Sequence, residues 1–316
     1  MSKVSLNFSI LIATKNRPKE LASLLDSITK STILPSKLVI VYSGTDINRI
    51  VSNYNSKLNI ESIRSEIASQ IFQKSEGIKA FQSNDSWILF LDDEVLIDSK
   101  AIEILAKRYI HNDKYSQYVG FGFAIKNITY RKLNFFSKFL LYVFKLYSFK
   151  PGMITKSGHP QSYLHNSLDC DVSWLNGISL WRSDVLKEYL ENTLVVEHSS
   201  YEDVIFSYNV SKKHNLLFVP DVYVLNQKIL DSQLLGDKQF LYGSYLRYYF
   251  VDKNKEFSKF WLLVAQLLRS YAYVRVKNSE INCFLRIRFV IKIWITILAA
   301  TMNGVNGVDF IKSKLK

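Results

Sequence analysis

WILFLDDEVLID, residues 87–98, is the stretch on which the fold turns. Its first five residues are apolar without alternation, as in a strand covered on both faces. Three acids follow at once: Asp92, Asp93 and Glu94. Such neighbours repel one another. At the C-terminal end of a parallel strand they also stand where open α/β sheets bind ligands. A divalent cation, magnesium or manganese, would relieve the repulsion and keep positions open for phosphates. Asp92 and Glu94 are two residues apart, so an extended backbone points both to one side and Asp93 to the other. The plainer alternative is a solvated acidic turn that caps a helix starting near Ser99.

The flanking sequence supplies partners for this strand. FSILIA (8–13) and LVIVY (38–42) are short β-rich runs. Between them Leu21, Leu24, Leu25 and Ile28 recur at helical spacing behind Pro18, which suits a first helical turn. Strand, helix, strand predicts an α/β class with parallel pairing. Further on, 101–110 reads as helix and 118–126 as strand. Residues 150–170 read as loop, 200–213 as helix, and 216–219 as a strand ending before Pro220. The predicted organisation is an α/β domain with a mixed central sheet over 1–235, carrying an apolar helical insertion at about 133–150. A basic, mostly helical region over 236–316 completes it.

The chain has 316 residues, with 41 Lys plus Arg against 28 Asp plus Glu, a net charge of +13. Hydrophobic residues at 48% exclude a disordered chain. Two cysteines make no disulfide scaffold and point to a reducing cytoplasm. The run 8–13 is followed directly by Lys15, Asn16 and Arg17 and reads as a strand, not a leader. The charge calls for an anionic partner. Nucleic acid is excluded: the basic residues form no aromatic-interleaved motif, and the acid clusters repel phosphate. A nucleotidyltransferase would place glycines after the first strand, where ATKNRPKE has none.

Two apolar stretches fall short of a membrane span. In 135–149, Lys138 and Lys145 share one stripe at helical spacing, and in 284–300 Arg288 and Lys292 do so. Such helices either lie in a membrane interface or pack in a core with their lysines reaching out. Residues 237–316 hold 14 Lys plus Arg and five Asp plus Glu, so nine of the thirteen surplus charges sit there. That concentration favours a tail docked on an anionic membrane, at its cytoplasmic face. His159, His165 and His198 fit no compact zinc spacing.

A second carboxylate pair, Glu202 and Asp203 after Tyr201, opens the helix at 200–213. Acids there complement a helix dipole; alternatively one of them serves as a general base.

Taken in order, these segments resemble the inverting glycosyltransferases of family 2, whose nucleotide-sugar-binding domain has the GT-A fold. SILIATKNRP (9–18) is similar to the family's "VSVVIPTYNR", and LASLLDSI (21–28) to "LxxxLxSI". QKSEGI (73–78) resembles "QRNxGI", and WILFLDDEVLID resembles the DxD region. WLNGISLWRSDVL (174–186) and YEDVIFSYNVSKKHNLLFVPD (201–221) resemble the acceptor-side and base-bearing segments, and MNGVNGV (302–308) the tail. The resemblance implies a nucleotide-sugar donor, a saccharide or lipid-linked acceptor, and a divalent cation on Asp92 and Glu94. It implies donor contacts from Thr14, Lys15, Asn16, Arg17, Ser43, Lys74, Asp92 and Asp93. Asp203 falls on the catalytic base with Glu202 beside it, and Trp174, Asn176 and Gly177 fall on the acceptor side. The sequence departs from the pattern at several points. Glu94 replaces the last Asp of the DxD. Tyr42, Ser43 and Gly44 stand where many members carry a base-reading Asp. Lys74 and Ser75 replace Arg-Asn, and Asn226 replaces a His. A non-catalytic GT-A domain serving as an assembly partner is the alternative.

Overall fold

The computed structural model describes residues 5–81, 86–128, 133–186, 189, 201–227, 236–275 and 283–315. These group into two compact units. The first comprises residues 1–128, 163–197 and 206–230. The second comprises 129–162, 198–205 and 231–316, so the apolar insertion and the start of the Glu202–Asp203 helix belong with the C-terminal helices.

The first unit is built on one mixed sheet. Its strands are β1 (Phe8–Lys15), β2 (Lys37–Ser43), β3 (Ile60–Arg64), β4 (Trp87–Asp92), β5 (Val95–Ile97), β6 (Tyr118–Lys126), β7 (Cys170–Val172), β8 (Ser179–Arg182) and β9 (Asn215–Asn226). The order is β3-β2-β1-β4-β8-β6-β9-β5, with β7 on β9. The first four strands pair in parallel, and β1, β2 and β4 are buried on both faces as their apolar runs predict. Helix α1 (Pro18–Thr29) buries Leu21, Leu24, Leu25 and Ile28 as their spacing predicts. Helices α2 (Asn48–Ser52) and α3 (Gln70–Lys79) make the next connections, and α4 (Ala101–Leu105) runs on as a π-turn to Ile110.

The expected strand at 216–219 does not stop at Pro220. β9 continues to Asn226, and the ladder to β6 jumps from Phe123↔Val219 to Ala124↔Tyr223. The irregularity takes Pro220 out of the ladder, where its missing N–H costs nothing.

Gly77 shows how closely α3 is seated. A Cβ there would lie 2.2 Å from Leu11 Cδ1 and 2.9 Å from Val41 Cγ2, both in the sheet. Gly77→Ala gains helix propensity but overpacks this contact. It should lower the unfolding free energy by about 1–2 kcal/mol, read by urea titration. A variant as stable as the parent would show that α3 is not seated this tightly.

The second unit holds α5 (Phe135–Val143), α7 (Asp237–Lys253), α8 (Lys259–Val274), α9 (Cys283–Met302) and α10 (Gly307–Lys314). Helix α6 (Glu202–Ser211) has its residues to Ile205 in the second unit and those from Phe206 in the first. Phe240 of α7 stacks on Tyr273 of α8 at 4.3 Å between centroids, and the Tyr248 hydroxyl donates to the Val305 carbonyl at 2.6 Å. The expected helix through 135–149 ends at Val143. Lys145 adopts φ 57, so it does not continue the stripe of Lys138.

Candidate active site

In the first unit β1 lies between β2 and β4, with Ala13 opposite Asp92. The chain leaves β1 toward β2 and later returns on its other side, which makes the β1–β4 exit a topological switch point. The β1 exit carries Thr14, Lys15, Asn16 and Arg17; the β4 exit carries Asp92, Asp93 and Glu94. Thr14 Oγ1 donates to Asp93 Oδ2 at 2.6 Å. Arg17 Nη1 donates to Asp93 Oδ1 and to Glu94 Oε2, each at 2.9 Å.

This differs from the alternation expected for Asp92 and Glu94. The strand ends at Asp92, and Asp93 and Glu94 already belong to a turn. Asp93 and Glu94 therefore converge on one guanidinium. Asp92 instead accepts from Gln70 Nε2 of α3 at 2.9 Å. Gln227 secures the turn from beyond β9: its backbone N–H donates to the Glu94 carbonyl at 2.8 Å and its Nε2 to the Asp93 carbonyl at 3.1 Å.

Burial pushes the Asp93 carboxyl above its usual range, against the Thr14 hydrogen bond and the Arg17 charge. Arg17 supplies one positive charge to a turn with three acids, and Asp92 and Glu94 are only half-buried. Among the described residues, no group of three or more His, Cys, Asp or Glu forms a ready-made metal cage. The donor set still suits magnesium or manganese, which take one or two carboxylates and complete their shell with phosphate and water.

Of the remaining donor-side residues, Lys15, Asn16 and Ser43 stand at the ends of β1 and β2, whereas Lys74 lies inside α3, over the body of β4. Asn16 has φ 56, and its Oδ1 accepts the Thr45 N–H at 2.9 Å. Gly44 has φ +81, and a Cβ on it would lie 2.0 Å from that oxygen, so this contact requires glycine. Lys15 is exposed. Ser43 is buried, and its hydroxyl has no partner among the described residues. Lys74 is 1% exposed, with its ammonium 5.5 Å from the Phe90 ring centroid. Gln73 Nε2 bridges the Thr14 and Val41 carbonyls at 3.0 and 3.1 Å.

Trp174, Asn176 and Gly177 lie between β7 and β8, and the first two meet the buried Tyr163. Trp174 packs on its ring at 5.0 Å between centroids, and the Asn176 N–H donates to its hydroxyl at 2.7 Å. Gly177 is buried and Trp174 half-buried. Trp181, later in the same segment, is a core residue packed on Phe206.

Glu202 and Asp203 occupy the first turn of α6, Glu202 buried and Asp203 half-buried. Within the second unit Tyr201, just before them, donates to the Gly158 carbonyl, and its ring lies 5.3 Å from the Arg247 guanidinium carbon. Arg247 is buried, as is the Nδ1 of His159, which has no partner among the described residues. Burial and then the Arg247 charge push His159 down to about 3. His198 lies outside the described residues.

A histidine kept neutral in the fold binds its proton first in the unfolded chain, so it lowers stability as pH falls from about 6.5 toward 3. Between pH 7 and pH 5 the parent should lose about 2 kcal/mol more than His159→Gln, read by urea titration at both pH values. Equal losses would mean that His159 is not sealed.

Motif reading did not single out Gln70, Gln227, Tyr163 or Arg247. Gln70 stands three residues before QKSEGI and Gln227 six after the segment that ends at Asp221, yet nothing in the spacing of any of the four marks them.

A mixed sheet in this order, with an acid turn at its switch point and helices after it, defines a GT-A-type nucleotide-sugar-binding fold. Residues 9–170, just over half the chain, match the description Glycosyl transferase family 2, and the chain belongs to that family. Among solved structures it is similar to S. aureus TarS 1–349, with TM-score 0.54 and 15% identity, over 95% of this chain and 92% of that one. The same TarS segment in complex with UDP-GlcNAc gives TM-score 0.53 and 15% identity, over 98% and 76%. The mannosyltransferase PcManGT from Pyrobaculum calidifontis, in complex with GDP-Man and Mn2+, gives 0.53 and 9% identity, over 98% and 79%. At these identities the likenesses show the fold. No curated protein matches the chain.

Proposed function

We propose that this glycosyltransferase moves a sugar from a nucleotide-sugar donor to a hydroxyl of a saccharide or lipid-linked saccharide, with inversion. The reaction belongs to cell-surface polysaccharide or glycan assembly at the cytoplasmic face of a membrane. The observation that carries the reading is the acid turn at the β1–β4 switch point, held by Thr14 and Arg17 in a chain of this family. The similar structures that contain UDP-GlcNAc or GDP-Man support a nucleotide-linked donor.

Asp92 and Glu94 are the residues to hold a divalent cation, as the Mn2+ in the mannosyltransferase complex suggests. Such an ion, when bound, neutralises charge that grows on the leaving diphosphate. Arg17 and Lys15 add fixed positive charge at the β1 exit. Ser43 and the Asn16–Gly44 contact shape the surface against which the nucleoside rests. Asp203 takes the proton from the acceptor hydroxyl, which attacks the anomeric carbon on the face opposite the leaving group and so inverts it. Glu202 supports Asp203, and Trp174 and Asn176 meet the acceptor.

A panel of nucleoside diphosphates and sugar nucleotides, each with and without manganese, tests this through the melting temperature. One nucleotide series should stabilise the protein by about 2.7 kcal/mol at a hundredfold excess over its Kd, and more strongly with manganese. No stabilisation by any of them would refute the donor assignment. The Arg17–Glu94 ion pair is the one observation that favours a non-catalytic domain. Nucleotide binding without transfer to any acceptor would decide for that alternative.

A further inference from the structure

The second unit exposes apolar side chains along three helices. α5 has the sequence FFSKFLLYV, and none of its residues is buried. Phe135 is 74% exposed and Phe136 72%, with Phe139 and Leu140 also exposed. On α8, Phe260, Val264, Leu267 and Tyr271 fall on one line at helical spacing, opposite the buried Leu262, Ala265 and Gln266. Phe260, Leu267 and Tyr271 are exposed. On α9 the pattern repeats: Val290, Ile293, Ile297 and Ala300 are buried, while Phe284, Ile291, Ile295 and Met302 point outward. Arg288 and Lys292 run beside that outer line and are exposed.

The three helices are neighbours within the unit. Trp294 of α9 donates to the Leu263 carbonyl of α8 at 3.2 Å, and Lys145, just past α5, sits 5.6 Å from the Trp261 ring centroid of α8. Exposed apolar lines of this extent mark an interaction surface. Charge identifies what covers it. α5, α8 and α9 contain no Asp or Glu; Lys138, Arg288 and Lys292 stand among the exposed apolar residues, whereas Arg286 is buried, Lys259 pairs with Asp252 and Arg269 packs on Phe240. Two copies of such a surface would set cations against cations. An anionic bilayer complements both the apolar lines and the charge, and none of the described helices is long and apolar enough to cross it.

We propose that the outward faces of α5, α8 and α9 dock on an anionic lipid bilayer, seated among headgroups without spanning. Phenylalanine and isoleucine side chains enter the acyl boundary while Lys138, Arg288 and Lys292 meet lipid phosphates. The proposal stands independently of the transferase reading, since it concerns binding to lipid and not turnover.

Co-flotation of the full chain with vesicles tests it, using phosphatidylcholine with and without phosphatidylglycerol. The parent should bind vesicles that contain phosphatidylglycerol and bind pure phosphatidylcholine much more weakly. Phe135→Ser with Phe139→Ser should weaken binding at least about tenfold, since two exposed rings are withdrawn from the acyl boundary. Arg288→Gln with Lys292→Gln should weaken it about fivefold per residue and reduce the preference for phosphatidylglycerol. All of these side chains are solvent-exposed, so melting temperatures should be unchanged, and the charge pair gives a second test if the serine pair proves unstable. The proposal fails if the parent does not float with phosphatidylglycerol vesicles, or if neither pair of substitutions weakens flotation. It fails equally if sedimentation shows a parent dimer that the serine pair converts to monomer, which would make the face a self-association surface.

Discussion

Asp203→Asn should lower transfer by about 10²–10⁴-fold and leave nucleotide binding in place. Asparagine keeps the size and a carbonyl oxygen, so the first turn of α6 persists. Only the capacity to accept the acceptor's proton is lost. Effects of this kind appear in turnover and not in donor affinity. Nucleotide binding should be read by melting temperature and turnover by release of nucleoside diphosphate. Because Glu202 is its neighbour, Glu202→Gln serves as the comparison, with a smaller loss. If Asp203→Asn turned over near the parental rate, the proton would be leaving by another route and Asp203 would be a helix-start acid.

The second large effect belongs to the acid turn. Asp92→Asn should cost at least about 100-fold in turnover, because neutralising the leaving group is worth several kcal/mol. It should also remove the gain in nucleotide binding that manganese gives. The substituted amide can still accept from Gln70, which holds Asp92 in place in the parent at 2.9 Å. Loss of fold is therefore not expected, and an unchanged melting temperature without nucleotide separates the two effects. Asp93→Asn should behave differently. Asp93 is buried between Thr14 and Arg17, so its loss should loosen the loop at the β1 exit and lower stability together with activity. An Asp92→Asn variant that kept its manganese response would place the cation elsewhere.

Much of the sheet was legible because its strands carry the simplest signal. β1, β2 and β4 are buried on both faces and read as unbroken apolar runs. α1 was legible through the spacing of four leucines and isoleucines behind Pro18. β3 was not: IESIR is half-polar because it lies at the edge of the sheet, and no interior residue pattern marks it. β5 and β8 are three and four residues long, too short for a period to show. The full length of β9 is hidden by Pro220, which marks a strand end in sequence but is skipped by the ladder in the fold.

The site divides along similar lines. The types and order of Asp92, Asp93, Glu94, Glu202 and Asp203 were readable. Which acids share a partner was not, because that depends on the backbone turning after Asp92 and on Arg17 arriving from a strand end 76 residues away in sequence. Gln70 and Gln227 reach the turn through the fold alone, and a glutamine carries no mark of such a role in the sequence. The apolar surface of α5 and α9 was readable as an ambiguity between core and interface. The exposure of Phe135, Phe136 and Phe284 gives it the meaning of a surface.

The central claim is that the switch-point acids and Asp203 serve one reaction on a nucleotide-linked sugar. Release of nucleoside diphosphate from the donor that most stabilises the full chain tests it most directly. The measurement uses phosphatidylglycerol vesicles and manganese, with a saccharide or lipid-linked acceptor panel and with Asp92→Asn and Asp203→Asn in parallel. Acceptor-stimulated release by the parent, lost in both variants, is the predicted result. Release absent from the parent for every donor and acceptor, or equal in all three proteins, would contradict it.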